Sequence, residues 1–108
     1  MIEPWDGGTF GGAKLALING TELLTYLRDD KPGIPYPNHW DLPGGGREGD
    51  ESPVDCALRE LQEEFGLSLG PDCLTVGRRF EQSMDGPYPS YFFIGRITPQ
   101  EIDAIVFG

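Results

Sequence analysis

The sequence predicts an α+β fold in which one amphipathic helix packs against a mixed β-sheet. Three apolar stretches, residues 13–19, 74–84 and 91–97, have the length and composition of strands and end at turn-forming residues. A helical pattern lies between them at Pro53–Phe65. The chain has 108 residues, which suits a single domain with one core, and its 16 glycines and 10 prolines indicate much loop. We therefore expect residues 1–108 to form one domain.

The first part of the chain is typical of a β-hairpin followed by a loop. The apolar stretch 13–19 ends at Gly20-Thr21, and residues 22–28 then form the predicted return strand. The next stretch, 29–38, reads DDKPGIPYPN and is rich in turn formers, so it is predicted to be a loop. Residues 39–42 are predicted to form a short strand that leads to Pro43 and three glycines.

The helix has a start signal and a stop signal of its own. Ser52 is a good N-cap, Pro53 occupies the first helical position, and Asp55 gives a weak version of the capping box. Gly66 provides the usual glycine after the last turn. At 100° per residue, one arc of the helix is apolar and a neighbouring arc is acidic. The apolar arc holds Val54, Ala57, Leu58, Leu61 and Phe65, and the acidic arc holds Glu60, Glu63 and Glu64.

The last third of the chain predicts a second hairpin and a short helix. Residues 74–84 and 91–97 pair in this prediction, joined by a loop that begins Asp85-Gly86-Pro87. Thr98-Pro99-Gln100-Glu101 is a capping box that opens a helical turn. Residues 104–107 are predicted to form a final strand.

The acidic arc suggests a metal site. Its three carboxylates have the i, i+3, i+4 spacing, and like charges at that spacing destabilise a helix by about a few tenths of a kcal/mol per pair. A hard divalent cation would remove this cost, because such ions prefer oxygen ligands. The alternative is an ordinary solvated face. The glycine loop upstream, Glu51 and the neighbouring Arg59 favour the metal site.

Residues 45–67 read GGREGDESPVDCALRELQEEFGL and resemble the Nudix hydrolase signature, GX5EX7REUXEEXGU, at every fixed position. The resemblance implies an α/β/α sandwich and a loop–helix–loop that binds Mg²⁺ or Mn²⁺. It also implies hydrolysis of a pyrophosphate in a nucleoside diphosphate linked to another group. The residue roles that it implies are a metal and catalytic set, Glu60, Glu63 and Glu64 with the carbonyl of Gly44; a catalytic Arg59; and a structural set, Gly45, Glu51 and Gly66. Arg59 and Glu51 would pair and hold the loop against the helix.

The implied chemistry suits these residue types. A pyrophosphate repels nucleophiles by its own charge, and bound metal ions neutralise that charge and lower the pKa of a coordinated water. Glycines let the backbone approach the ion closely. The second function considered is a Nudix-like module that binds a nucleotide without cleaving it. A degenerate signature would favour that module, whereas this signature is intact.

The chain departs from the resemblance at its end. Nudix domains typically continue with a loop that carries another acidic residue and with a C-terminal helix that covers the sheet. We therefore expect a C-terminally truncated domain that is weak or inactive as an enzyme and associates into a dimer through an uncovered apolar face. Glu48 and Glu81 are candidate substitutes for the further acidic ligand, although a surface role is the simpler interpretation for each.

Charge and cysteine content limit the partners. A net charge of −10 argues against non-specific binding of a nucleic-acid polymer, so the expected partner is a small nucleoside diphosphate derivative. Two cysteines provide no disulfide framework, and both are expected to be reduced and structural. No leader and no long apolar run is evident, so no membrane contact and a cytoplasmic location are expected.

Overall fold

The computed structural model describes residues 1–27, 40–81 and 87–106. Arg28, the predicted loop 29–38, His39, residues 82–86 and residues 107–108 lie outside the described part of the chain. The described elements, in chain order, are strands β1 (Gly12–Asn19), β2 (Glu22–Leu23), β3 (Tyr26–Leu27), β4 (Trp40–Asp41) and β5 (Gly44–Gly46), helix α1 (Pro53–Phe65), a 3₁₀ turn (Pro71–Cys73), strands β6 (Leu74–Phe80) and β7 (Ser90–Arg96), and helix α2 (Pro99–Asp103).

The main sheet is mixed, as predicted. Its strand order is β2-β1-β7-β6, and β5 also pairs with β1. Strands β1 and β7 run parallel, from Gly12 opposite Ser90 to Ile18 opposite Arg96. Strands β6 and β7 form the predicted antiparallel hairpin. The α+β fold class with a mixed sheet is therefore confirmed.

The predicted return strand 22–28 is divided between two sheets. Only Glu22–Leu23 pairs with β1, whereas Tyr26–Leu27 pairs with Trp40–Asp41 in a separate two-stranded sheet. The division falls at Leu24, whose N–H donates to Leu17 O (3.0 Å) and whose side chain packs against the core. The chain turns toward the core at this point because burying a leucine is favourable, and it leaves the edge of β1.

The core lies between α1 and one face of the sheet. Leu15, Leu17 and Phe93 come from the strands and Leu61 and Phe65 from the helix, and all five are almost completely buried. Alternate residues of β1 face the helix because side chains alternate across a strand. On the face opposite α1, the paired residues Ile18 and Leu23 are 38% and 49% exposed.

Helix α1 begins and ends where the sequence predicts. Ser52 Oγ accepts from the N–H of Asp55 at 3.1 Å, and Gly66 ends the helix with a φ of +67°. The apolar arc of the prediction is buried at Ala57, Leu61 and Phe65. Among the described residues, no helix has the length and apolar character needed to cross a membrane.

Helix α2 has the predicted capping box, but the strand predicted at 104–107 is wrong in its described part. Thr98 Oγ1 accepts from the N–H of Glu101, and the Glu101 carboxylate accepts from the N–H of Thr98. Residues 104–106 contain no strand. Instead, the N–H of Val106 donates to Phe65 O at 2.8 Å. This bond holds residue 106 against the C-terminal end of α1.

Candidate functional site

The glycines before α1 form a strand, not a free turn. Gly44–Gly46 pairs antiparallel with β1, with Gly44 opposite Lys14 and Gly46 opposite Gly12. Gly44 has a φ of +138°, and a side chain there would collide with the backbone of Ala13 and Lys14. Only glycine adopts this conformation without strain. Strand β5 is thus fixed against the sheet and leads directly into the loop before the helix.

Arg59 and Glu51 form the pair that the sequence predicts. Arg59 Nε lies 3.0 Å from Glu51 Oε2, and Nη2 lies 2.9 Å from Oε1. The side chains are only 21% and 15% exposed. The hydrogen bonds from Arg59 hold the pKa of the Glu51 carboxyl below its ordinary value. The Arg59 Nη2 atom also donates to Gly46 O at 2.8 Å, so the pair ties the helix to the glycine strand.

The same guanidinium contacts two members of the acidic arc. Arg59 Nη1 lies 3.0 Å from Glu60 Oε1 and 3.0 Å from Glu63 Oε2. The hydrogen bonds with Glu51, together with these contacts, raise the pKa of Arg59. Glu63 is the outermost of the predicted ligands, with half of its side chain exposed. Arg59 therefore sets the orientation of Glu60 and Glu63.

The other side of the acidic arc contacts the glycine strand directly. Glu64 Oε1 accepts from the N–H of Gly44 at 2.9 Å. Glu60 lies against Gly45, where an added Cβ would be 2.7 Å from the carboxylate. Burial raises the pKa of Glu60 above its ordinary value, Arg59 partly opposes this, and Glu64 and Glu63 add to it. The ionised form of Glu60 is therefore less favoured here than it is in water.

The structure brings the predicted site residues together at one junction of strand, loop and helix, except for Gly66, which ends α1 and lies against Val106. As they stand, no group of three or more His, Cys, Asp or Glu side chains in the described ranges is arranged to hold a metal ion. Two of the three predicted ligands point at Arg59 instead. The ligand assignment to Glu60, Glu63, Glu64 and Gly44 stays a prediction.

The two candidate substitutes for a further acidic ligand lie in different places. Glu48 Oε2 is 3.6 Å from Arg59 Nε, at the edge of the same network. Glu81 instead pairs with Arg79 Nε at 2.9 Å on strand β6 and its continuation. Of the two, Glu48 is the one at the site.

Two further residues, neither of them a predicted site residue, complete the loop. Arg47 Nε donates to Glu51 O at 2.9 Å, and its guanidinium lies over the rings of Phe10 and Trp5. The Sγ atom of Cys56 lies 3.6 Å from Gly45 O. Burial raises the pKa of the Cys56 thiol to about 12, so it is a neutral, structural thiol, as expected. Trp5 and Phe10, two aromatic residues ahead of the first strand, could have indicated a cation–π contact with an arginine such as Arg47.

Three curated relatives are similar to this chain in sequence. The m7GpppN-mRNA hydrolase NUDT17 of Danio rerio is 43% identical over 93 residues, which cover 86% of this chain and 30% of that protein. Diphosphoinositol polyphosphate phosphohydrolase 3-alpha of Mus musculus is 40% identical over 66 residues, 58% of this chain and 37% of that protein. The RNA pyrophosphohydrolase of Gluconacetobacter diazotrophicus is 33% identical over 108 aligned positions, 85% of this chain and 64% of that protein. The chain thus spans about a third of the length of the first two relatives.

Solved structures share the fold. A MutT/nudix family protein from Enterococcus faecalis matches with a TM-score of 0.67 at 22% identity, over 98% of this chain and 42% of that one. A MutT protein from Methanosarcina mazei matches with a TM-score of 0.67 at 20% identity, over 97% of this chain and 73% of that one. The sequence profile of the NUDIX domain matches residues 12–106, nearly the whole chain. Together with the intact signature and the Arg59–Glu51 pair, this match shows that the chain belongs to the Nudix family.

Proposed function

We propose that this chain is a metal-dependent hydrolase that cleaves a pyrophosphate bond in a nucleoside diphosphate linked to another group. The observation that carries the proposal is the convergence of Glu60 and Glu64 on the glycine strand. Glu64 accepts from the N–H of Gly44, and Glu60 fills the space that a side chain at residue 45 would occupy. The names of all three relatives describe hydrolases, which supports a hydrolytic activity.

The donor atoms at the site fit Mg²⁺ or Mn²⁺. Glu60, Glu63 and Glu64, with the carbonyl of Gly44, would supply the oxygen ligands that such ions prefer. The partly buried Glu60 carboxylate, whose pKa is raised by desolvation, would be stabilised by a nearby cation. When bound, the metal neutralises phosphate charge and lowers the pKa of a coordinated water. A manganese ion is named in one structure with this fold, a bifunctional NMN adenylyltransferase/ADP ribose pyrophosphatase from Francisella tularensis.

The residues of the chain itself orient the carboxylates. Arg59 holds Glu60 and Glu63 from one side, and Glu51 fixes Arg59 through two hydrogen bonds. The contacts with Arg59 restrict the rotamers of Glu60 and Glu63, which reduces the side-chain entropy that these residues would lose when a metal binds. Gly45 keeps the strand close to Glu60 because a larger residue would displace the carboxylate. The arrangement thus gathers negative charge beside the glycine strand, where a cation would be attracted.

We propose a small nucleotide derivative as the substrate and the cytoplasm as the location. The net charge of −10 disfavours tight contact with the body of a nucleic acid. Two relatives are named for mRNA and RNA, so a short RNA end belongs among the compounds to test. Homodimerisation stays a prediction. We expect the dimer contact to involve Ile18 and Leu23, which are exposed on the sheet face opposite α1.

The non-catalytic binding module is the second candidate, and one observation favours it. Arg59 already hydrogen-bonds to Glu60 and Glu63, so part of the negative charge of the acidic arc is neutralised without any metal. Such a site would bind a nucleotide without supplying the charge that activates water. Isothermal titration that shows tight nucleotide binding and no turnover would favour this second candidate.

The deciding experiment is a substrate screen with defined metals. The panel contains nucleoside triphosphates, nucleotide sugars, dinucleoside polyphosphates, ADP-ribose, a diphosphoinositol polyphosphate and a short capped RNA. We expect hydrolysis of at least one compound with Mg²⁺ or Mn²⁺ and none with excess EDTA. Ca²⁺ should suppress it, because Ca²⁺ adopts looser coordination than Mg²⁺ requires. Full activity in EDTA would refute the metal dependence.

A further inference from the structure

The N-terminal segment, residues 1–10, is bound along the edge of the sheet. Ile2 bridges to Gly77 of β6 in parallel orientation, and the N–H of Glu3 donates to Gly77 O at 2.9 Å. The N–H of Arg79 donates to the Glu3 carboxylate at 3.1 Å. The start of the segment is therefore fixed to β6, a strand that lies far from residues 1–10 in sequence.

The other end of the segment meets the loop of the functional site at Arg47. The Arg47 guanidinium carbon lies 4.5 Å from the centre of the Phe10 ring and 5.5 Å from that of Trp5. The rings of Trp5 and Phe10 meet edge to face at 5.9 Å, and Phe10 packs edge to face on Tyr91 at 5.6 Å. Trp5 Nε1 also donates to Gly8 O, which fixes the ring. Arg47 therefore lies on a rigid aromatic support that continues into the core.

Arg47 also holds the loop on its other side. Its N–H donates to Gly11 O at 2.9 Å, and its Nε donates to Glu51 O at 2.9 Å. Glu51 is the residue that holds Arg59 by two hydrogen bonds, and Arg59 orients Glu60 and Glu63. A continuous series of contacts thus runs from the N-terminal segment to the acidic arc.

We propose that Arg47 is a positioning residue that clamps the loop 47–51 to the N-terminal segment and, through Glu51 and Arg59, positions the carboxylates of the acidic arc. This proposal rests on the proposed function, because the carboxylates that it positions are the metal ligands proposed above. The side chain suits the task because a guanidinium combines a planar face that stacks on rings with directed N–H donors. Lysine keeps the charge but not the planar fork.

The test compares Arg47→Met with Arg78→Met. Methionine keeps the length and apolar stem of the side chain and removes the cation. Arg78 is an exposed residue on β6, so its variant removes the same charge at a position outside the contacts made by Arg47. Two readouts need no substrate: amide hydrogen exchange of the peptide that covers residues 44–52, and Mn²⁺ affinity by electron paramagnetic resonance.

We expect Arg47→Met to speed exchange in residues 44–52 and to weaken Mn²⁺ binding by about tenfold, the effect typical of losing a residue that supports metal ligands. Arg78→Met should match the parent protein in both readouts, and Arg47→Lys should be intermediate. A double-mutant cycle of Arg47→Met and Trp5→Leu should be non-additive in the exchange rate, because the two side chains share one contact. If Arg47→Met does not fold, Trp5→Leu decides alone, since it leaves the arginine in place and removes one ring.

Unchanged exchange and unchanged Mn²⁺ affinity in Arg47→Met would overturn the proposal, as would strict additivity in the cycle. The outcomes also separate it from the proposed function. Faster exchange in a protein that hydrolyses nothing would refute the hydrolase and keep the clamp. Hydrolysis that is equal in Arg47→Met and Arg78→Met would keep the hydrolase and refute the clamp.

Discussion

Arg59 donates two parallel hydrogen bonds to Glu51, at 3.0 and 2.9 Å, across eight residues of chain. A bidentate pair of this kind is stronger and more directional than a single ion contact. Both side chains are largely shielded from water, with 21% and 15% exposure. The pair therefore connects the stability of the loop to the orientation of the acidic arc.

Breaking this pair should destabilise the protein. We expect Arg59→Ala to lower the free energy of unfolding by about 2–3 kcal/mol, because a shielded carboxylate loses charge-assisted bonds. Glu51→Ala should have a similar effect, and the double variant should cost less than the sum. Arg59→Lys should recover only part of the loss, since an ammonium cannot form the bidentate geometry. Denaturant melts of the parent, Arg59→Ala, Glu51→Ala and the double variant measure the coupling, and additive losses would show that the residues do not interact.

Gly45→Ala should separate activity from stability. An added Cβ would lie 2.7 Å from the Glu60 carboxylate, which is the far end of a flexible side chain and can move away. We therefore expect an almost unchanged melting temperature and a loss of metal binding and hydrolysis. Gly46→Ala is the matched control, because its nearest neighbour would be Gly11 O at 3.8 Å, an ordinary contact. Equal activity in the two variants would show that the position of Glu60 is unimportant.

Glu60→Gln should stabilise the metal-free protein near neutral pH. Burial raises the pKa of Glu60 above its ordinary value of 4.5, so the folded state binds a proton more tightly than the unfolded state does. Between that ordinary value and the raised one, the contribution of Glu60 to stability falls as the pH rises. The neutral amide removes this contribution. Thermal melts in EDTA across the acidic to neutral range should show the gain above the raised pKa and its disappearance below 4.5.

Glu51 should act with the opposite sign. Hydrogen bonds from Arg59 lower its pKa, so its stabilising contribution is present above its ordinary value of 4.5 and is lost as the pH falls through the lowered value. We expect Glu51→Gln to be less stable than the parent near neutral pH and to approach it in strong acid. A constant difference between the two proteins across this range would contradict the assignment.

Glu63→Gln and Glu64→Gln should keep the fold and each lower kcat by about 100-fold, because each removes a charge from the proposed metal site. Glu64→Gln retains an oxygen that can accept from the N–H of Gly44, so its melting temperature should change little. The double variant should lose less than the product of the two, because the residues share one site. Asp55→Asn, an exposed change on the same helix, is the control and should keep full activity.

The sequence alone determined the elements whose signals are local. Helix α1 begins after Ser52 and ends before Gly66 in both the prediction and the structure, because a cap and a left-handed glycine act within one turn. The capping box of α2 was predictable for the same reason. The Arg59–Glu51 pair and the fold class followed from an intact signature whose fixed spacings carry the geometry.

Tertiary structure decided the features that depend on partners distant in sequence. The division of residues 22–28 between two sheets depends on where Leu24 can be buried, and the β5 strand of glycines depends on the free edge of β1. Residues 104–106 form no strand despite their β-like composition, because residue 106 hydrogen-bonds to the end of α1 instead. The cation–π contacts of Arg47 join residues about 40 positions apart, and local sequence patterns do not indicate contacts over that separation. Hydrogen bonds between residues close in sequence can be predicted from the sequence, whereas strand pairing and burial depend on the tertiary structure.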